Sequence, residues 1–154
     1  MDSPQGLALL AVDVQPVFFR AMDSPEVFLR RCRLAVSAAR LLGLPTLFTE
    51  QAPAKLGPTH PDLLLLGLEG PVCVHQTAIE AVRRGLGVTV LADAVTSRRP
   101  GDQAVCFEAL RQADVSVLPV ETVFYSLLRG ADHPAFKDFT ELVKAGGQVR
   151  STVS

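Results

Sequence analysis

The sequence predicts an α/β protein in which a parallel β-sheet is covered by helices on both faces. Two observations support this prediction. Short, nearly unbroken apolar runs such as LALLAVDVQ (7–15) are typical of strands buried on both faces of a sheet. These runs alternate along the chain with segments of helical periodicity. No repeat or linker divides the chain, so we predict one domain over residues 1–146, followed by a polar, disordered tail over 147–154.

Five apolar runs are predicted to be strands, because each is short and is bounded by polar residues, glycine or proline. They cover residues 7–15, 45–51, 63–69, 87–95 and 115–120.

The first helix is predicted from its start signal. Ser24 can cap the helix, Pro25 suits the first helical position and Glu26 adds an acid to the first turn. The apolar positions that follow share one helical face and end before Gly43: Phe28, Cys32, Ala35, Ala39 and Leu42. Further helices are predicted at 73–84, around 105–113, at 121–129 and at 134–144.

The regular alternation breaks between the second and third predicted strands. The connection APAKLGPTHPD has eleven residues with three prolines and a glycine, so no helix fits there. A parallel crossover normally takes a dozen or more residues including a helix. An extended chain of this length can just cross, at about 3.3–3.6 Å per residue. We therefore expect part of one sheet face to lack its covering helix.

Composition excludes several classes of function. The 154 residues are 48% apolar and carry a net charge of −1, with no basic stripe, so nucleic acid is not an expected partner. The apolar runs are too short to span a bilayer, and the N-terminus lacks the features of a secretory signal. Three widely spaced cysteines without a CxxC pair favour a reducing compartment. We expect a cytoplasmic protein that binds neither membrane nor nucleic acid.

Two reactive side chains follow predicted strands at the edge where open parallel sheets bind ligands. Asp13 closes the first strand, and Cys73 follows the third at the start of a helix. A helix N-terminus stabilises a thiolate, and a neighbouring carboxylate can accept the thiol proton. From these residues alone two interpretations stay open: a nucleophile with its base, or a core cysteine and a turn-capping aspartate.

The residues around Cys73 resemble a known family. The segment GLEGPVCVHQTAIEAVRRGLGVTVLADAVTSR (67–98) is similar to the nucleophile region of the isochorismatase-like cysteine hydrolases. The opening LLAVDVQPVF resembles the first strand of that family with its D-x-Q motif. PTLFTEQAPAKLGPTHPDL and HPAFKDF resemble the branch called isochorismatase domain-containing proteins. The resemblance covers roughly residues 7–144.

The resemblance implies a Rossmann-like three-layer fold and hydrolysis of a small amide or related carbonyl compound through a thioester. Asp13 takes the role of general base and Cys73 that of nucleophile. A non-proline cis peptide is implied at Leu68–Glu69, with the backbone amides of Glu69 and Cys73 forming an oxyanion hole. We further expect a small-molecule substrate, no cofactor and assembly into a homo-oligomer.

The chain departs from the family pattern in two respects. The strand, helix and catalytic lysine expected before the Cys-bearing segment are missing, so we predict a fold one strand and one helix short. The lysines of the chain are Lys55, Lys137 and Lys144, and none stands in the matching context. Lys55, in the loop after the second strand, is the one that could reach the pocket, although a solvated surface lysine is the other interpretation. The Asp/His metal cluster of nicotinamidase members is also replaced by Thr49, Glu50 and Gln51, so no metal is expected.

Several neighbours are candidates for lining the pocket, although each also has a structural interpretation. Gln76 and Thr77 lie three and four residues after Cys73 and share its helical face. Gln15 and Phe18 follow Asp13. His75 points away from Cys73 by helical geometry and is expected to be solvated.

Two functions from different classes therefore stay open. One is a cysteine hydrolase, favoured by the Asp13 and Cys73 pair. The other is a catalytically impaired domain that binds a ligand or partner or mediates oligomerisation, favoured by the missing lysine segment.

Overall fold

The computed structural model describes residues 6–14, 24–49 and 62–147. Within these residues, five strands form one sheet in the order β2-β1-β3-β4-β5, and every pair of neighbours is parallel. The strands are β1 (Leu7–Val12), β2 (Thr46–Thr49), β3 (Asp62–Gly67), β4 (Gly87–Val95) and β5 (Ser116–Leu118). The predicted α/β fold class and its five strands are confirmed.

The described helices alternate with these strands. They are α1 (Pro25–Leu41), α2 (His75–Arg83), α3 (Pro100–Gln112), α4 (Val120–Leu128) and α5 (Phe136–Gly147). A π-helical turn, Gly70–Val74, runs directly into α2. Residues 148–154 of the predicted tail lie outside the described residues, and Gly147, the first residue of that tail, is the last residue of α5.

The alternation of side chains along the strands divides the core into two apolar layers. On one face, Leu9, Ala11, Leu64 and Leu66 pack with residues of α1, α4 and α5. On the other face, Ala8, Leu10, Val12 and Leu65 pack with residues of α2 and α3. The sheet therefore lies between two helical layers, as the three-layer prediction requires.

The predicted apolar face of α1 is confirmed, because all five of its residues are buried. The helix predicted around residues 105–113 is confirmed within α3, although one of its apolar residues faces solvent. Val105 is 70% exposed, whereas Cys106 and Leu110 are buried against the sheet. The periodicity of the sequence did not show which apolar residues of α3 are buried, because apolar residues lie on both sides of the buried positions.

The edge strand β2 is poorly covered. Leu47 and Phe48 lie on opposite faces of this strand and are 45% and 60% exposed. Beside Phe48, a cavity of about 270 Å³ opens between α1 and the sheet, lined also by Val14, Leu29 and Leu66. The connection from β2 to β3, with Lys55 and His60, lies outside the described residues.

Candidate active site

Asp13 lies immediately beyond β1 in a left-handed backbone conformation, with a φ of 49°. Aspartate is one of the few non-glycine residues that adopt this conformation readily. The turn ends the strand at Val12, three residues earlier than predicted. Asp13 is also the one charged residue buried in the described part of the chain, at 7% exposure. The strand end therefore presents a carboxylate that is largely shielded from solvent.

Gly67 brings the end of β3 close to this carboxylate. It pairs with Val12 in the sheet and has a φ of 125°, which L side chains rarely adopt. A Cβ at Gly67 would overlap the carbonyl oxygen of Val12. The same oxygen accepts the amide hydrogen of Leu68 at 3.1 Å. A glycine is required here because the two backbones approach so closely.

The chain then turns through a cis peptide bond between Leu68 and Glu69, as predicted. The carbonyl oxygen of Glu69 accepts the amides of Val72 and Val74 at 3.1 and 3.0 Å, and the latter bond spans five residues. This wider spacing produces the π-helical turn, a feature frequent at functional sites. Cys73 therefore lies inside this turn, and the α-helix begins two residues later than expected.

The Cys73 thiol is half-buried between an amide donor and two carboxylates. Burial is the largest influence and raises the pKa of Cys73. The Glu69 backbone amide donates a hydrogen bond to the sulfur and opposes this rise in pKa. The Asp13 carboxyl hydrogen-bonds the thiol, and its negative charge, with that of Glu69, raises the pKa further.

This balance differs from the expectation that a helix N-terminus lowers the pKa of Cys73. Burial of the thiol is the largest influence on its pKa, and the carboxylates of Asp13 and Glu69 favour the protonated form. The arrangement is a thiol hydrogen-bonded to a carboxylate. In chemical terms it holds a proton donor, its acceptor and a backbone donor around a single sulfur atom.

The other cysteines have different surroundings. Cys32 is 5% exposed, lies 3.6 Å from the carbonyl oxygen of Ala94, and has a pKa raised to about 12, chiefly by burial. Cys106 is 6% exposed and lies 3.4 Å from the carbonyl oxygen of Gly70. Both lie in the core, as their sequence positions indicated.

The predicted pocket residues differ in how exposed they are, and two of them lie outside the described residues. Thr77 is half-buried, and Gln76, one residue earlier, is exposed. Gln15 and Phe18 lie outside the described residues, so their predicted contribution to the pocket stays a prediction. His75 is half-buried rather than fully solvated.

Asp93 and Ser97, at the end of β4, serve the fold. The Asp93 carboxylate accepts the amide of Val120 at 2.8 Å at the start of α4, and it lies 3.5 Å from the Arg31 guanidinium. The Ser97 hydroxyl donates to the Arg99 carbonyl oxygen at 2.7 Å and closes the turn that follows β4. Both side chains therefore anchor backbone rather than face the thiol.

Sequence reasoning missed one contact beside the thiol. It considered Glu69 only for its backbone amide and did not single out Arg98. In the structure, one carboxylate oxygen of Glu69 accepts hydrogen bonds from both the backbone amide and the Nε of Arg98, at 3.1 and 3.0 Å. A signal was available, since an arginine lies three residues after β4 and an acid lies two residues after the neighbouring β3.

Two further properties concern the described ranges alone, residues 6–14, 24–49 and 62–147. There, no group of three or more His, Cys, Asp or Glu side chains is arranged to hold a metal ion. Nor does any helix within those ranges have the length and apolar character needed to cross a membrane.

The sequence of the chain is similar to those of known proteins. The model of the isochorismatase domain matches residues 54–122. Isochorismatase domain-containing protein 2 of Bos taurus is 32% identical over 173 residues, which cover 92% of this chain and 84% of the relative. The human protein of the same name is 30% identical with the same coverage. The chain therefore belongs to the isochorismatase family.

Solved structures have the same fold. A structure described as MAR1 ribonuclease from Caenorhabditis elegans superimposes with a TM-score of 0.85 at 28% identity, covering 99% of this chain and 97% of that one. The YcaC gene product of Escherichia coli, described as an octameric hydrolase of unknown specificity, has a TM-score of 0.73 at 18% identity. It covers 94% of this chain and 96% of its own.

The alignment to the bovine relative also bears on the short connection. It runs over 173 positions, whereas 92% of this 154-residue chain is only about 142 residues. About thirty aligned positions therefore have no residue in this chain. This number is similar to the size of the segment that the sequence analysis expected to be missing.

Proposed function

We propose that this protein is a cysteine hydrolase of small amides or related carbonyl compounds, with Cys73 as nucleophile and Asp13 as general base. The observation that carries the proposal is the arrangement at the Cys73 sulfur, which hydrogen-bonds both the Asp13 carboxyl and the Glu69 amide. Family membership and the hydrolase description of the Escherichia coli neighbour support it.

In the proposed reaction, Asp13 takes the thiol proton as the sulfur attacks the substrate carbonyl carbon. The raised pKa of Cys73 suits this role, because the proton stays on sulfur until the substrate is bound. As the sulfur bonds to the substrate carbon, the Glu69 amide passes from the sulfur to the oxyanion of the tetrahedral intermediate, which the Cys73 amide also holds. Collapse breaks the C–N bond, and the leaving amine takes the proton from Asp13. Water, activated by Asp13, then hydrolyses the thioester and restores the thiol.

A second candidate is a catalytically impaired domain that binds a ligand or a partner. The shortened connection favours it, because the family's lysine has no counterpart in the matching context. Among the described residues, the lysines are Lys137 and Lys144 on α5, away from the strand ends. A preorganised charge of this kind is typically worth ~10²–10³ in rate. We therefore expect that loss of the lysine slows turnover at the Cys73 site and does not move the reaction to another site.

Labelling tests the nucleophile directly. Brief treatment with iodoacetamide near neutral pH, followed by peptide mapping, is expected to modify Cys73 before Cys32 and Cys106. The reason is access, since Cys73 is half-buried and the other two are in the core. Equal rates at the three cysteines, or modification of Cys73 last, would remove the basis for the proposal.

Turnover separates the two candidates. Ammonia release from a panel of small amides is measured for the wild-type chain beside Cys73→Ala. Slow release that disappears in the variant supports the hydrolase. Labelling at Cys73 without any release supports the impaired domain.

An RNA substrate belongs in the same panel because the Caenorhabditis elegans neighbour is described as a ribonuclease. Our expectation is no cleavage, since the net charge is −1 and the sequence carries no basic stripe. Cleavage that is retained in Cys73→Ala would redirect the assignment to a different chemistry.

A further inference from the structure

Glu69 contributes to the site through both its backbone and its side chain. Its amide donates to the Cys73 sulfur, while its carboxylate points to the loop after β4 and accepts both hydrogen bonds from Arg98. The Glu69 side chain is 20% exposed, whereas that of Arg98 is 69% exposed. A mostly buried carboxylate is therefore held by a cation at the surface.

The backbone on either side of Glu69 is held independently. The amide of Leu68 donates to Val12, and the amide of Gly70 donates to the Thr96 carbonyl oxygen at 2.9 Å. The amide of Thr96 in turn donates to Gly67 at 3.2 Å. Removing the Arg98 side chain therefore leaves the local fold supported, so an effect on Cys73 can be separated from unfolding.

We propose that Arg98 is a positioning residue for the nucleophile: it fixes the Glu69 side chain, keeps the Glu69 amide directed at the Cys73 sulfur, and neutralises the Glu69 carboxylate beside the thiol. This inference rests on the proposed role of Cys73. Arg98, an exposed residue on the β4–α3 loop, would then affect Cys73, 25 positions earlier in the chain, through Glu69.

The charged groups that surround the thiol define the expected signs. Within the described residues, the carboxylates that act on the thiol are those of Asp13, just beyond β1, and Glu69. Arg98, Arg99 and Asp102 line the cavity beside Glu69, and His75 follows Cys73 by two residues. The Glu69 charge disfavours the thiolate. Neutralising Glu69 should lower the pH midpoint of Cys73 reactivity, and removing its cationic partner should raise that midpoint.

The experiment is the pH profile of Cys73 alkylation by iodoacetamide in Glu69→Gln, Arg98→Gln, Arg98→Lys and the Glu69→Gln/Arg98→Gln double variant. Glu69→Gln keeps an oxygen that can accept both hydrogen bonds from Arg98. Its Cys73 should be alkylated about two- to fivefold faster than in the wild type at pH 7.5. In Arg98→Gln, Cys73 should be alkylated more slowly by a similar factor. Arg98→Lys should recover most of the wild-type alkylation rate.

The double variant tests whether the pair acts as a unit. Once residue 69 carries no charge, Arg98→Gln should change the alkylation rate much less than it does in the wild type. A simple structural contact would lower the melting temperature without moving the pH midpoint. The proposal would be overturned if the pH midpoints of Glu69→Gln and Arg98→Gln both equalled the wild-type value, or if both shifted with the same sign. If Arg98→Gln does not fold, Arg98→Lys and Glu69→Gln carry the comparison.

Failure of this inference is distinct from failure of the proposed function, because alkylation requires no substrate. Opposite shifts without amide turnover would support the positioning pair and contradict the hydrolase. Cys73-dependent turnover with unmoved midpoints would support the hydrolase and contradict the positioning pair.

Discussion

At the scale of single residues, we predict that loss of the Asp13 charge changes the alkylation rate of Cys73 and the turnover in opposite directions. The Asp13 carboxyl raises the pKa of Cys73 through a hydrogen bond and through its charge. Asp13→Asn removes the charge and keeps an oxygen that can accept the thiol hydrogen, so the pKa of Cys73 falls and alkylation at pH 7–8 becomes faster. Turnover should nevertheless fall, by ~10²–10⁴, because the base is gone.

The matched control for this prediction is Asp138→Asn, which removes an exposed carboxylate on α5. It should leave both the alkylation profile and the turnover unchanged. An alkylation midpoint in Asp13→Asn that equals the wild-type value would contradict the pairing of Asp13 with Cys73.

Gly67 provides a second residue-scale prediction, concerning stability. Gly67→Ala combines an unfavourable φ of 125° with overlap of the Val12 carbonyl oxygen. We expect it to lower the free energy of unfolding by about 3 kcal/mol or more, measured by urea denaturation.

Gly85→Ala is the control for Gly67→Ala. Its φ is 82°, yet a Cβ there meets no atom within 4 Å. It should cost only about 1–2 kcal/mol, the usual penalty for a left-handed L-residue. Equal losses in the two variants would show that the close approach of β1 and β3 does not matter.

At the scale of elements, the Asp93 carboxylate links the sheet to two helices. It accepts the Val120 amide at the start of α4 and faces Arg31 of α1. Asp93→Ala should lower the free energy of unfolding by about 1–2 kcal/mol, since it removes the acceptor at a helix N-terminus.

The conservative variant Asp93→Asn keeps an acceptor oxygen and should lose less stability, because only the charge is removed. Its Cys73 alkylation profile should match the wild type. A change in that profile would indicate that Asp93 acts on the thiol and not merely on the fold.

At the scale of the whole molecule, the uncovered edge of the sheet bears on assembly. Leu47 and Phe48 are large apolar side chains exposed on β2, and exposed edge strands are surfaces that proteins usually cover. We expect a homo-oligomer, with a molar mass by light scattering that is a multiple of 16.5 kDa. A single 16.5 kDa species at micromolar concentration would contradict this expectation.

Most of the fold followed from the sequence because its signals are local. Apolar runs predicted the five strands, and the Ser24-Pro25-Glu26 signal predicted the start of α1 to the residue. The element ends were less accurate. Strand β1 stops at Val12 because Asp13 turns left-handed, three residues before the end of the predicted run.

The sequence by itself determined the alternating α/β order, the family resemblance and the two residues expected to react, Asp13 and Cys73. Only the tertiary structure decided how they act on each other. Burial and two carboxylates raise the pKa of the thiol despite its place near a helix start, and Arg98 reaches Glu69 across 29 positions of the chain. These effects depend on distances between strand ends, which arise only when the sheet aligns residues far apart in sequence.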